Sequence, residues 1–157
     1  MGDRNAGGAG KQVTMAGPPR PEAAGSFRFS FDPANRILLA CFEGLLTDAL
    51  LEEFYRVAGR HWTATAPRAG IADYSAVTEV AVSSDFIRHL ANQEPSAEVA
   101  GCPRFLVVPR THAFGLARMF QLLGETKRPL LHVVRTMGEA LAELAVQSTS
   151  THFDPLE

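Results

Sequence analysis

The sequence predicts an α/β domain: a mixed, mostly parallel β-sheet of about five strands with four helices, in the order β-β-α-β-α-β-α-β-α. Three observations predict it. Apolar runs at 36–42 (RILLACF), 104–109 (RFLVVP) and 130–135 (LLHVVR) have the length of buried strands. The segments between them carry apolar residues at helical spacing. A hairpin-length turn joins only the first two strands; each later strand follows a helix, as right-handed parallel crossovers require.

Phe27, Phe29 and Phe31 alternate with Arg28 and Ser30, the period of a half-buried strand. Asp32-Pro33-Ala34-Asn35 has turn chemistry, and 36–42 returns as the second strand of a hairpin, which Gly44 ends. Thr47 can cap a helix over about 48–62, with Asp48 in its first turn and Leu50, Phe54, Val57, Ala58 and His61 on one face. Pro67 and Gly70 bracket the connection to residues 69–91, around which the chain is arranged. This stretch opens as a buried strand at Ile71 and Ala72, passes a turn at Asp73-Tyr74-Ser75, continues as a β-rich run over 77–82 and enters a helix at Ser83-Ser84-Asp85. A strand, a loop and a helix N-terminus meet there, a common setting for a binding or switching site.

Residues 92–103 read as a polar loop. Thr111 can cap a helix over about 112–125 with Leu116, Met119, Phe120 and Leu123 toward the core. Its other side, Phe114, Arg118, Gln121 and Leu122, is mixed rather than polar, as a covered face would be. Thr136 to Glu139 matches a capping box before Ala140, Leu141 and Leu144. Residues 1–25, rich in Gly, Ala and Pro, are predicted to be a disordered leader, 26–147 the domain and 148–157 a flexible tail.

The 157 residues suit one domain, with 46% hydrophobic and 20% charged residues. A net charge of −2 supplies no general attraction for phosphate, so no nucleic-acid partner is expected. No apolar run reaches the roughly 18 residues of a membrane span, and a signal-peptide core is missing, which predicts a cytoplasmic protein. Cys41 and Cys102 lack CxxC spacing and read as reduced, buried thiols; the five histidines show no HExxH spacing. No GxSxG, P-loop or GxGxxG motif appears, and Gly7-Gly8-Ala9-Gly10 in the leader follows no strand. No catalytic residue, metal or cofactor is expected.

The segments Asp73-Tyr74-Ser75-Ala76-Val77-Thr78 and Val82-Ser83-Ser84-Asp85, with Leu122-Leu123-Gly124 before the last strand, resemble in this element order the STAS domains. That family includes the anti-sigma-factor antagonists and the cytoplasmic tails of sulfate transporters, and the likeness covers about 27–145. It extends to the bacterial STAS/SEC14-like proteins, whose relatives on the SEC14 side bind lipids. Val82 stands where the family often has Asp, and Asp85 where it often has Gly. The resemblance implies a phosphorylated serine at Ser83, beside Ser84.

Two functional expectations follow. In the first, the chain is a non-enzymatic regulatory or protein-interaction module whose surface combines Asp73, Tyr74, Ser75, Ser83, Ser84 and Asp85 with Phe114, Arg118, Gln121 and Leu122. Its partner is an anti-sigma-like or other regulatory protein, or a second copy in a homodimer. In the second, an apolar pocket between sheet and helix takes a small anionic molecule or lipid, with Arg110, His112 and Arg118 at its head group. Ser83 and Ser84 are equally good helix caps and Asp73 an ordinary turn residue, so neither set needs a ligand. A cavity under the helices discriminates the two expectations.

Overall fold

Residues 24–157 are described by a computed structural model; the expected disordered leader lies almost wholly outside them. The elements are β1 (Ser26–Asp32), β2 (Ile37–Thr47), α1 (Asp48–Thr65), β3 (Ala69–Ala81), α2 (Ser84–Ala91), α3 (Ala97–Ala100), β4 (Arg104–Val107), α4 (Thr111–Leu123), β5 (Leu131–Val134), α5 (Met137–Glu143) and β6 (Asp154–Pro155). They build one sheet in the order β5-β4-β3-β2-β1-β6. β2 through β5 are parallel neighbours, while β1 is antiparallel to both β2 and β6.

The α/β class and the order of the main elements agree with the sequence reading, and the differences are local. The sheet has a sixth strand because the tail, after a 3-10 turn at Ser148–Ser150, returns to pair with β1. The polar loop contains α3, whose cap Ser96 accepts from Val99 N. Gly44 does not end β2: at φ 78° it takes a conformation that suits glycine, and the strand continues to Thr47. Nor is Asp73-Tyr74-Ser75 a turn. β3 runs unbroken through it, with register shifts against β2 between Cys41 and Glu43 and between Gly44 and Leu45. Asp73 Oδ1 accepts from Ser75 N (2.9 Å) and Ser75 Oγ (2.6 Å), a local bond that suits a bulge as well as a turn.

Side chains alternate across the sheet and divide the core in two. On one face Ile37, Leu39, Ile71, Phe105 and Val107 meet Ala140, Leu141 and Leu144 of α5 and its end. On the other, Phe29, Leu38, Ala40, Phe42 and Ala72 meet Leu51 and Phe54 of α1, while Ile87, Leu90, Phe120 and Leu131 join α2 and α4 to the β5 edge. Leu123, expected in the core, is 51% exposed, because α4 overhangs the sheet edge where it ends at Gly124. α4 also begins one residue earlier than Thr111 capping allows: Arg110 is its N-cap and makes no side-chain cap bond. The other caps are as the sequence suggests, with Thr47 accepting from Leu50 N, Ser83 from Phe86 N, and Thr136 and Glu139 forming a capping box. Cys41 and Cys102 are free thiols but only half-buried. Burial, then nearby Asp73, pushes the Cys41 thiol above its ordinary pKa, away from thiolate chemistry.

Asp32 fastens the hairpin to the tail. Its carboxylate is fully covered and accepts from Ala34 N, Asn35 N, Asn35 Nδ2 (2.7 Å) and His152 N. Burial alone would raise its pKa, but these bonds, the Asn35 side chain first, together hold it below the usual carboxylate value. Asp32→Asn is expected to lower stability at neutral pH by about 1–3 kcal/mol. The folded pKa lies below the unperturbed 3.8, so the carboxylate's contribution is present above that value and lost as pH falls through the folded one. Urea melts of the two proteins should therefore converge in acid; a gap constant down to pH 2 would contradict the assignment.

Candidate functional site

On the α1 face the helices do not cover the sheet continuously. α1 packs over β1 and β2, whereas α4 packs on β5 and α2. The strip of sheet between them presents small residues, Ala40, Gly70 and Ala72, and α1 adds Ala58 and Gly59. A cavity of about 300 Å³ results, walled by Phe29, Phe54, Trp62, Leu106 and Phe120 among others. Gly70 is needed there: a Cβ would stand 2.8 Å from Cζ3 of Trp62, so glycine lets that ring lie against β3. The exposed lining residues Gly59, Gln93, Glu94 and Ser96 place the mouth between α1 and the segment joining α2 to α3.

A smaller cavity of about 60 Å³ extends toward α2 and α4, bordered by Val80, Val82, Leu116 and Ala117. Tyr55, Tyr74, Leu106 and Phe120 border both cavities and form the divide. Tyr74, expected as an exposed contact residue, stacks on Phe42 instead, with ring centroids 4.5 Å apart. Two residues after Ala72, it lies on the same α1 face by strand alternation, where it joins the aromatic core. Burial pushes its phenol well above an ordinary tyrosine, with Tyr55 beside it adding to the shift. Tyr55, 41% exposed, borders both cavities, and burial also raises its phenol.

Two arginines that the sequence reading passed over line the larger cavity. Arg128 is 7% exposed, and three hydrogen bonds hold its guanidinium. Nη1 donates to Ala91 O (3.0 Å), Nη2 to Leu90 O (2.9 Å) and Gln93 O (2.8 Å), and the group lies 4.8 Å from the Phe120 ring. It thereby ties the end of α2 to the loop after α4. Arg104, at the start of β4, has no such support. Its Nε and Nη2 are shut off from solvent and have no hydrogen-bond partner among the described residues. Burial lowers the pKa of both arginines, Tyr55 opposing the shift in each case, and both remain cations. Glu94 also lines the cavity, but its carboxylate pairs with Lys127 Nζ at 2.8 Å.

The expected site residues fall into separate places. Ser83 stands at the N-terminus of α2, where its N and Oγ both donate to the Asp48 carboxylate at 3.0 Å, joining the starts of α1 and α2. A phosphoryl group on Ser83 would face the carboxylates of Asp48 and Asp85; Ser84, the first residue of α2, is exposed. Asp85 pairs with Arg88 at 2.9 Å. Arg110 donates to Thr78 O (3.0 Å), Arg118 to Gln121 Oε1, and Gln121 to Leu131 O (2.9 Å). None of Arg110, His112 and Arg118 lines either cavity; Arg104 and Arg128 line the larger one. Phe114 is half-buried, with the Arg135 guanidinium 4.0 Å from its ring centre, while Leu122 is 56% exposed.

Arg104 escaped the sequence reading because an arginine flanking an apolar strand run normally snorkels to solvent. The one available signal was its place beside Pro103, inside the break between the loop and the strand. Two donors left without partners make Arg104 a liability in the empty protein. Arg104→Met is therefore expected to raise the stability of the ligand-free chain by about 1–3 kcal/mol, measured by denaturant melts; a loss of that size would show that the charge supports the fold. Among the described residues no group of three His, Cys, Asp or Glu side chains is placed to hold a metal ion, and no helix is long and apolar enough to cross a membrane. No protein-family model and no curated protein matches the chain.

Proposed function

We propose that the domain is a non-enzymatic binding module that encloses a small, mainly apolar molecule between α1 and the α2–α4 pair. The observation that carries this reading is the cavity of about 300 Å³ on the α1 face, at the low end of the size range of ligand pockets. Its walls are largely aromatic and aliphatic, so water inside finds few partners. Because the cavity opens to solvent between α1 and the segment joining α2 to α3, its apolar wall is left against water at a cost of about 25 cal/mol per Å². An apolar occupant removes that burden by replacing the missing dispersion contacts. The STAS/SEC14-like resemblance supports the same reading from its lipid-binding side.

Regulation through a protein partner is the second reading, favoured by Leu122 and Leu123, which stand exposed at the end of α4. It would use α4 and leave the cavity unexplained. Titration of the full chain with 1-aminoanthracene, a neutral dye that brightens away from water, separates the two. Saturable binding is expected in the native protein, weakened at least tenfold by Ala58→Leu, which fills the cavity, with the melting temperature kept or raised. Absence of saturable binding, or equal binding by the filled variant, would overturn the cavity reading.

A further inference from the structure

Resting on the cavity reading, we infer that the occupant is a single unbranched hydrocarbon chain with a polar end at the mouth, its far end reaching past Tyr55 into the smaller cavity. The two cavities are neighbours: Tyr55, Tyr74, Leu106 and Phe120 border both, so side chains alone divide them. Three of the four are held in place. Tyr74 stacks on Phe42 with ring centroids 4.5 Å apart, Leu106 sits in β4 between β3 and β5, and Phe120, 5% exposed, has the Arg128 guanidinium 4.8 Å from its ring centre. Tyr55 differs. It is 41% exposed, and the ring it meets, 5.0 Å away, is that of Phe54, its own neighbour on α1. Exposed side chains change rotamer quickly and without backbone motion, so Tyr55 is the group of the divide that turns aside.

The lining changes character along this path. Apart from the tyrosines, polar side chains border the large cavity alone, and Gln93, Glu94 and Ser96 among them are exposed at its mouth. Beyond Tyr55 and Tyr74 the small cavity is walled by aliphatic residues and Phe120, all buried or half-buried. A polar group carried that far would give up its water without gaining a partner, whereas the methyl end of a chain loses nothing there. The divide also selects for shape. A space of about 60 Å³ reached between four side chains takes the end of a chain, while a compact cage or fused ring fills the space of about 300 Å³ and stops. Chain length then sets the preference, since each methylene taken out of water adds roughly fourfold to affinity. Ala113 and Ala117 of α4 border the small cavity and not the large one, so their size limits how far the chain reaches.

The test is displacement of 1-aminoanthracene from the full chain by hexanol, nonanol, dodecanol and the cage alcohol 1-adamantanol, each below its solubility limit, repeated with Ala117→Leu. Dodecanol is expected to bind the native protein at least tenfold more tightly than nonanol. Ala117→Leu, which fills the small cavity, should shrink that gain to less than threefold, leave hexanol and 1-adamantanol within twofold, and keep or raise the melting temperature. Should that variant fail to fold, Ala113→Leu makes the same comparison. No gain from nonanol to dodecanol in the native protein, or a gain that survives in the filled variant, would overturn the chain assignment and leave the cavity reading standing. If the dye itself does not bind, both fail together.

Discussion

The interaction on which this structure turns is one that is missing: α1 does not pack against the α2–α4 pair across the middle of the sheet. A parallel sheet in an α/β protein is ordinarily covered on both faces, and the strip between neighbouring helices is filled by branched side chains from the strands below. Here β2 and β3 present Ala40, Gly70 and Ala72 to that strip, and α1 presents Ala58 and Gly59. The rear face shows the contrast. There Ile37, Leu39, Ile71, Phe105 and Val107 fill the space under α5, as a core that serves only stability would.

Arg104 and Arg128 illustrate how one residue type serves two ends within one cavity wall. Arg128 has traded its hydration for three backbone carbonyls and an aromatic face, so its burial contributes to the joint between α2 and the α4–β5 loop. Arg104 has lost its hydration and gained no acceptor on Nε or Nη2. A fold that placed every polar group for stability alone would supply an acceptor or an apolar residue there. Two covered donors without acceptors are a local violation of the rule that buried polar groups are paired.

Much of the architecture was legible because it depends on local chemistry. Phenylalanine alternation gave β1, the caps at Thr47, Ser83 and Thr136 gave three helix starts, and the β-α alternation gave the parallel core. Misreadings came where one local signal serves two geometries. The Asp73–Ser75 hydrogen bonds suit a turn or a bulge, and Gly44 can end a strand or bend it. The site was less legible still, because a cavity is a property of distant segments brought together. Residues from β1, β2, α1, β3, the α2–α3 loop and β4 line it, and no spacing in the sequence connects Ala58 with Ala72 or Arg104. Helix-face reasoning directed attention to α4, whose Phe114 proved to be covered by Arg135.

Methyl-resolved NMR of the alanine-labelled full chain during a 1-aminoanthracene titration tests the central claim most directly. The account expects saturable shifts at Ala40, Ala58 and Ala72, which line the cavity, and none at Ala140 on the opposite face of the sheet. Resonances of those three alanines that stay fixed, or that move no more than Ala140, would contradict it.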